Sequence, residues 1–242
     1  MRRPHPGRAA MWILKRLLSW WWGHRVPETE AMDCEDEVAA YVDASTQRYL
    51  SSLDEEAARR AAPVFERCRS LIDLGCGPAS IPLSVADRVP GLMIMGVDLS
   101  LPMLQRARQE AERRGMRDRL LLVCASSSAL PFRGASFDGV CSNSLLHHLE
   151  RPQLTIGEAS RVVPSGAPMF LRDLRRPPRF LLRIHLAIYG HRYGARMREL
   201  FCASVRAAYT RRELADLVQP LEGARVILRG GAHVEVVRGD AE

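Results

Sequence analysis

Residues 71–77 read Leu-Ile-Asp-Leu-Gly-Cys-Gly, an apolar run that ends in two glycines separated by one residue. A short apolar run followed by glycine is typical of a buried strand, and such glycines let the backbone turn and approach a ligand closely. Asp98 closes the next apolar run, 21 residues after Gly77. That spacing is close to the roughly 20 residues expected for a carboxylate that binds a ribose diol. The stretch therefore predicts a nucleoside-binding site between two parallel strands.

Apolar runs and helical patterns alternate along most of the chain. This alternation predicts an α/β fold with a doubly wound, mostly parallel, seven-stranded sheet. Gly230-Gly231 is a turn signal between the last two strands, and Thr210 with Glu213 forms a capping-box pattern at the start of a helix. The predicted strands are 71–74, 92–97, 120–124, 137–142, 168–171, 224–228 and 233–237. The predicted helices are 35–49, 54–67, 79–88, 101–114 and 154–163.

Two segments depart from the alternation and define the expected organisation. Residues 174–208 contain Pro177-Pro178, many arginines and several aromatic residues, and are predicted to form a helical insertion beside the sheet. Residues 1–25 are predicted to be a basic, tryptophan-rich extension, with a linker near residues 25–28. The main domain is accordingly expected to cover residues 26–242.

Residues 11–22 combine Trp, Leu and Ile with Lys15 and Arg16. This composition fits a peripheral membrane helix, since Trp favours the interface and basic residues favour anionic lipid. A helix that packs on the domain is the alternative and is favoured about two to one, because single amphipathic helices usually find protein partners. The stretch is too short and too charged to span a bilayer, which needs about 20 apolar residues.

The composition of the chain bears on its partners, on metal binding and on its compartment. The net charge of +7 reflects arginine spread along the chain, with Lys15 the only lysine, so a nucleic-acid partner is not favoured. The six cysteines form no C-x-x-C pair and no group with zinc spacing, so no metal site is expected. Scattered free cysteines fit a reducing compartment, and a cytoplasmic location is predicted.

A nicotinamide cofactor fits the glycine loop less well. The third glycine of the dinucleotide fingerprint is replaced by Ser80, and Asp73 precedes the loop, where it would repel a pyrophosphate. An acidic residue there favours a cationic group such as the ammonium of a methionine moiety. An NAD-dependent oxidoreductase is kept as the less favoured alternative.

Four linked stretches together resemble the class I S-adenosylmethionine (SAM)-dependent methyltransferases, of the type 11 or type 25 kind. The first is 71–77 and the second is Val97-Asp98-Leu99-Ser100. The others are the 129–149 region, which ends in Ser142-Asn143-Ser144-Leu145-Leu146-His147-His148-Leu149, and the 158–166 region before the fifth strand. The resemblance covers roughly residues 26–240 and is similar to a bacterial small-molecule branch that includes quinone-biosynthesis C-methyltransferases.

The resemblance implies SAM as the cofactor and a role for each matching residue. Asn143 would face both the cofactor and the site of methyl transfer. Ser126 stands near the place where many relatives have an acidic residue that accepts from the adenine amino group. The implied cofactor-binding residues are Asp73, Gly75, Cys76 and Gly77 at the methionine end, Asp98 at the ribose, Leu99, Ser126 and Ser127 around the adenine, and Asn143.

His147 and His148 suggest a general base, because the pKa of histidine lies near neutrality. Adjacent helical residues point about 100° apart, so at most one of them would face the site, and His147 is the candidate. The alternative is a histidine that packs and forms hydrogen bonds at the start of a helix, which is favoured about two to one.

The sequence thus predicts an enzyme that methylates a small-molecule acceptor. A nucleic-acid base is disfavoured as the acceptor, because residues 143–146 read Asn-Ser-Leu-Leu rather than Asn-Pro-Pro-aromatic. A catalytically silent SAM-binding regulatory protein is the competing interpretation. Arginines at 172, 175 and 176 could bind an acidic acceptor or form a solvated face.

Overall fold

The computed structural model describes residues 24–27, 48–191, 193 and 195–239. Its strands are β1 (Ser70–Leu74), β2 (Met93–Asp98), β3 (Leu120–Cys124), β4 (Gly139–Asn143), β5 (Met169–Leu174), β6 (Arg225–Arg229) and β7 (His233–Arg238). They form one sheet in the order β3-β2-β1-β4-β5-β7-β6. Neighbouring strands from β3 to β5 are parallel, and β7 is antiparallel to both β5 and β6. The predicted seven-stranded, mostly parallel α/β sheet is confirmed.

The helices connect the strands as the alternation predicts. They are α1 (Arg48–Ala61), α2 (Ser80–Arg88), α3 (Leu101–Arg113), α4 (Pro152–Arg161), α5 (Leu182–Gly190), α6 (Ala195–Ala207) and α7 (Arg211–Val218). α5 and α6 lie in the segment 174–208. Thr210 caps α7 with the predicted capping box, in which Thr210 and Glu213 satisfy each other's backbone N–H groups.

The sheet is covered on both faces because successive strand residues point to opposite sides. Leu71 of β1 belongs to a core cluster with residues of α1 and α2, whereas the next residue, Ile72, belongs to a cluster with residues of α4 and α7. Burial on both faces explains why these strands read as continuous apolar runs rather than as alternating patterns.

Several predicted boundaries are wrong, and two of these differences have a clear physical cause. The helix expected at 54–67 is α1, which already includes Arg48 and gives way at Ala62 to a 3-10 turn, because Pro63 cannot continue an α-helix. The strand expected from residue 137 begins at Gly139, because the Asp138 carboxylate instead accepts the backbone N–H groups of Arg69 and Ser70, each at 2.9 Å. Residues 35–47 of the other predicted helix lie outside the described residues.

The strand order reverses between β1 and β4, which places a crevice at the carboxyl ends of these two strands. Ligands of open α/β sheets bind at such a topological switch point. β1 ends at Leu74, just before the glycine loop, and β4 ends at Asn143. The fold therefore brings the first and the third predicted motifs to one edge of the sheet.

Candidate functional site

The loop after β1 has the backbone that its glycines predict. Gly75 and Gly77 have φ values of +65° and +50°, a region that other residues rarely adopt. A Cβ on Gly75 would lie 2.8 Å from Leu145 Cδ1, whereas a Cβ on Gly77 would meet nothing within 4 Å. Gly75 is thus packed against the segment after β4, and Gly77 borders open space. That space would let a ligand approach the backbone at Gly77.

Asp98 ends β2 and connects to this loop. Its carboxylate accepts the Gly77 N–H at 2.8 Å and the Ser100 N–H at 2.9 Å. A carboxylate has about four acceptor sites, so these bonds use part of its capacity and also fix its orientation. Asp98 is half-buried at the carboxyl edge of the sheet, where it could accept from a ribose diol.

Asp73 lies on β1, buried beneath the glycine loop. Burial raises the pKa of Asp73 to about 7, an effect that nearby Asp98 increases and that a hydrogen bond from the Cys141 thiol opposes. Asp73 and Cys141 are register partners on β1 and β4. An acidic group buried here would gain from a cationic ligand, because a neighbouring positive charge favours its ionised form.

Cys76 contributes backbone rather than side chain to the loop. Its Sγ lies 2.9 Å from the position of a Cβ on Gly96 of β2, so the thiol points into the sheet. Burial raises the pKa of the Cys76 thiol well above its usual value, and the carboxylates of Asp73 and Asp98 add to this. A buried thiol of this kind is inert packing.

The residues predicted to surround the adenine occupy different environments. Leu99 is 65% exposed at the carboxyl edge, which leaves it open to pack against a ring. The Ser126 hydroxyl lies 2.8 Å from the Ser128 hydroxyl in the loop after β3. The Ser127 hydroxyl is buried 3.0 Å from the Thr155 hydroxyl of α4, so it holds the loop on the helix instead of lining the adenine edge as expected.

Asn143 is tied to the neighbouring strand. Its side-chain oxygen accepts from the guanidinium of Arg172 at 2.9 Å, and its amide donates to the Ser144 hydroxyl at 3.3 Å. Arg172 is buried on β5, where burial lowers its pKa and the carboxylate of Glu235 offsets part of that effect. The structure thus places Asn143 at the switch point with a fixed side chain.

His147 follows β4 in a short 3-10 turn and is almost fully buried. Its Nδ1 lies 2.5 Å from Asp173 Oδ1, and its backbone N–H donates to Asp173 Oδ2 at 3.1 Å. Asp173 is equally buried near the end of β5. His147 therefore packs and forms hydrogen bonds, as the favoured interpretation of the sequence predicts. Asp173 in addition orients its ring.

The sequence predicts that Arg25 begins a linker, but the structure shows its side chain in contact with the domain. Its guanidinium donates to the carbonyls of Ala207 at 2.6 Å, His147 at 2.8 Å and Leu149 at 3.3 Å. It also lies 4.6 Å from the ring centroid of Tyr209. No local pattern marks this residue, because its carbonyl partners lie 122 to 182 positions away. Arg25 therefore docks on the domain beside the candidate site.

Two further histidines lie at the same edge. β7 begins at His233, which is opposite Leu174 at the end of β5. Burial lowers the pKa of His233 well below its usual value, and the positive charge of Arg172 acts in the same direction. His185 projects from α5, and burial together with Arg175 lowers its pKa to about 4.

Within the described part of the chain, no cluster of His, Cys, Asp or Glu could hold a metal ion.

Comparison with known proteins agrees with this geometry. Residues 72–171 match the family model of the methyltransferase domain. The chain is 30% identical over 124 residues to a demethylmenaquinone methyltransferase of Thermus thermophilus, covering 51% of this chain and 56% of that protein. It is 35% identical over 103 residues to a malonyl-[acyl-carrier protein] O-methyltransferase of Legionella pneumophila, covering 42% and 35%.

A solved structure extends the likeness of the fold. The plantazolicin methyltransferase BamL, solved with a triazolic desmethyl analogue and SAH, superposes with a TM-score of 0.66 at 11% identity. The match covers 86% of this chain and 92% of that one. The matched methyltransferase domain and the relatives bear out the predicted resemblance to class I SAM-dependent methyltransferases, and the solved structure shows the same Rossmann-like fold. The chain spans 56% of the length of the first curated relative and 35% of the length of the second.

Proposed function

We propose that this protein is a SAM-dependent methyltransferase that acts on a small-molecule acceptor. The observation that carries the proposal is the glycine loop at the switch point, where Gly77 is held on the Asp98 carboxylate at 2.8 Å beside open space. Relatives named demethylmenaquinone methyltransferase and malonyl-[acyl-carrier protein] O-methyltransferase support this class of reaction.

Each residue of the cofactor side has a proposed task. Asp73 attracts the ammonium group of the methionine moiety from beneath the loop, while Gly75, Cys76 and Gly77 offer their backbone. Asp98 accepts from the ribose hydroxyls, because its carboxylate is already oriented by two backbone N–H groups. Around the adenine, Leu99 is proposed to pack against the face of the ring and Ser126 to lie at its edge, whereas the Ser127 hydroxyl is hydrogen-bonded to Thr155.

The acceptor is proposed to bind beyond the ends of β4 and β5. Asn143, whose side-chain oxygen is held by Arg172, would face the reacting centre. Bound SAM would supply a methyl group on a sulfonium, a good leaving group. The task left to the chain is alignment of the acceptor atom with the methyl carbon and sulfur, which supplies much of the rate.

His147 is the proposed base where the acceptor atom carries a proton. Asp173 favours the tautomer of His147 with its proton on Nδ1. Nε2 is then the ring nitrogen that can take up a proton. As the bond between the acceptor atom and the methyl carbon forms, Nε2 would take the proton that the acceptor atom loses. The charge left on the imidazolium would then be balanced by the Asp173 carboxylate.

Titration calorimetry of the full chain with SAM, SAH and NAD tests the cofactor. Asp98→Asn should weaken SAM binding by about 1.5–3 kcal/mol, the scale of hydrogen bonds to a charged group. Asp118→Asn, an exposed aspartate just before β3, is the matched control and should bind as the unmodified protein does. Absence of SAM binding, or preference for NAD, would contradict the proposal.

Transfer of a labelled methyl group from SAM to a metabolite extract tests turnover. A labelled small molecule that is lost with Asp98→Asn would support the enzyme. SAM binding with no labelled product in any extract would favour the silent regulatory protein instead.

Location and membrane contact stay predictions. A cytoplasmic location and a peripheral membrane contact through residues 11–22 rest on composition, and those residues lie outside the described part of the chain. In the part that is described, no helix is long and apolar enough to cross a membrane.

A further inference from the structure

The outward face of α5 and the turn before it is apolar. Phe180 and Leu181 of the 3-10 turn are 60% and 38% exposed, and Ile184 and Ile188 of α5 are 55% and 56% exposed. Ile184 and Ile188 are four residues apart in α5, so their side chains lie along one side of the helix, and Phe180 and Leu181 lie in the turn that precedes it. Phe180, Leu181, Ile184 and Ile188 are together called the α5 stripe. Large apolar side chains grouped in this way mark a binding surface more often than isolated ones do.

The stretch of chain that carries the α5 stripe is basic in sequence. Arg179 and Arg183 are exposed and lie next to the stripe in sequence. From residue 174 to residue 198 the chain contains seven arginines and no aspartate or glutamate. The stripe is therefore an apolar surface in a basic setting, which is the composition of helices that lie in an anionic membrane interface.

The opposite face of α5 is already used. His185 is buried, and Leu182, Leu186 and Tyr189 pack against a cluster built on Phe201 and Val205 of α6. The helix cannot turn to bury the stripe without exposing this cluster. The stripe is thus held outward by the packing of the insertion.

We propose that the α5 stripe docks the protein on an anionic lipid surface. The isoleucines and Phe180 would enter the acyl-headgroup boundary, and Arg179 and Arg183 would reach the lipid phosphates. A second copy of the chain fits less well, because a symmetric contact through the stripe would bring like charges together. The basic extension at residues 1–25 is disfavoured for the same reason. The proposal does not depend on methyl transfer, because lipid binding is measured directly.

Flotation of the full chain with vesicles tests the proposal. Binding is expected to vesicles of equal parts phosphatidylcholine and phosphatidylglycerol, to be weak with phosphatidylcholine alone, and to fall as salt is added. The double variant Ile184→Ser, Ile188→Ser should bind at least about tenfold more weakly, because both side chains lose their burial in lipid. Arg179→Gln and Arg183→Gln should each cost about fivefold, the effect of one charge near an anionic surface.

Matched controls lie at the other end of the sheet. Leu121→Ser removes a 56% exposed leucine from the edge strand β3, and Arg117→Gln removes an exposed arginine just before it. Both should bind vesicles as the unmodified protein does, and the near-ultraviolet spectrum verifies that every variant is folded. The proposal is overturned if the α5 variants bind as well as the controls. Loss of binding confined to a variant of Trp20–Trp22, or a dimer abolished by the α5 variants, would likewise overturn it.

Discussion

The Nδ1 atom of His147 lies 2.5 Å from a carboxylate oxygen of Asp173, and both residues are almost fully buried. Asp173 also accepts the backbone N–H groups of His147 and Leu174, at 3.1 and 2.7 Å. One carboxylate therefore fixes both the ring and the main chain of the turn after β4. Such a pair can support a base or simply hold the turn, and the two roles differ in their kinetic consequences.

Replacement of His147 separates these roles. If His147 removes a proton from the acceptor, His147→Asn should lower kcat by about 10²- to 10⁴-fold, the usual contribution of a general base. SAM affinity should stay the same, and Asp173→Asn should shift the pH profile of kcat through the altered ring. Steady-state kinetics with the acceptor identified by methyl labelling measure kcat. Titration with SAM measures the affinity of the cofactor site and so shows that the variant is folded. A variant that is less stable yet keeps its kcat would show that His147 is only structural.

The pH dependence of SAM binding reports on Asp73. Its pKa is about 7 because of burial, so the carboxyl group is mostly protonated below that pH in the absence of ligand. The ammonium of SAM favours the ionised form, and binding must then release a proton. Affinity is expected to rise up to about tenfold per pH unit as the pH approaches 7 from about 5 and to level off near 7.5.

Asp73→Asn is the variant that isolates this effect. It should bind SAM more weakly and with little pH dependence, and its binding heat should not depend on the ionisation enthalpy of the buffer. Calorimetry in two buffers measures the released proton directly. An unmodified protein that shows no proton release between about pH 5 and 7 would contradict a contact between Asp73 and the ammonium group.

The fold could be predicted because its signals are local, whereas much of the site could not. Apolar runs and the glycine loop mark β1 and β2 within a few residues, and the switch point follows from the order of the strands. The docking of Arg25 and the pairing of His147 with Asp173 join distant parts of the chain, so no spacing marks them. Ser127 shows a second limit, since the sequence does not indicate which serine hydroxyl turns toward α4.

The two loop glycines should respond differently to alanine. Gly75→Ala brings a Cβ to within 2.8 Å of Leu145 and also strains the backbone, so it should lower the free energy of unfolding by about 2–4 kcal/mol. Gly77→Ala meets no atom within 4 Å, so only the backbone strain of about 1–2 kcal/mol remains. Urea denaturation measures both. Gly77→Ala should nevertheless weaken SAM binding, because its methyl fills the space beside the loop, and undiminished binding would argue against that space as the site.

Arg25 should stabilise the turn that carries His147. Arg25→Ala leaves three carbonyls without this donor and removes the contact with Tyr209, so a loss of about 2–4 kcal/mol is expected. Arg25→Lys keeps the charge but cannot reach all three acceptors, and should recover only part of the loss. Thermal unfolding ranks the variants, with Arg117→Gln as an exposed control. Full recovery by lysine would show that charge alone matters.

His185 should make the protein sensitive to acid. Burial, with Arg175 second, lowers the pKa of His185 from 6.5 to about 4. Between these values the unfolded chain binds a proton that the folded chain does not, so the free energy of unfolding falls as the pH drops from about 6.5 to about 4. At pH 5 the loss from this residue is about 2 kcal/mol. His185→Gln disturbs packing at every pH but removes the acid-dependent part, so its deficit relative to the unmodified protein should shrink by that amount between about pH 7.5 and pH 5. The same change at exposed His191 should leave the acid sensitivity intact, and urea denaturation at the two pH values measures both. If the deficit of His185→Gln is equal at both pH values, His185 takes up protons as readily in the folded chain as in the unfolded one.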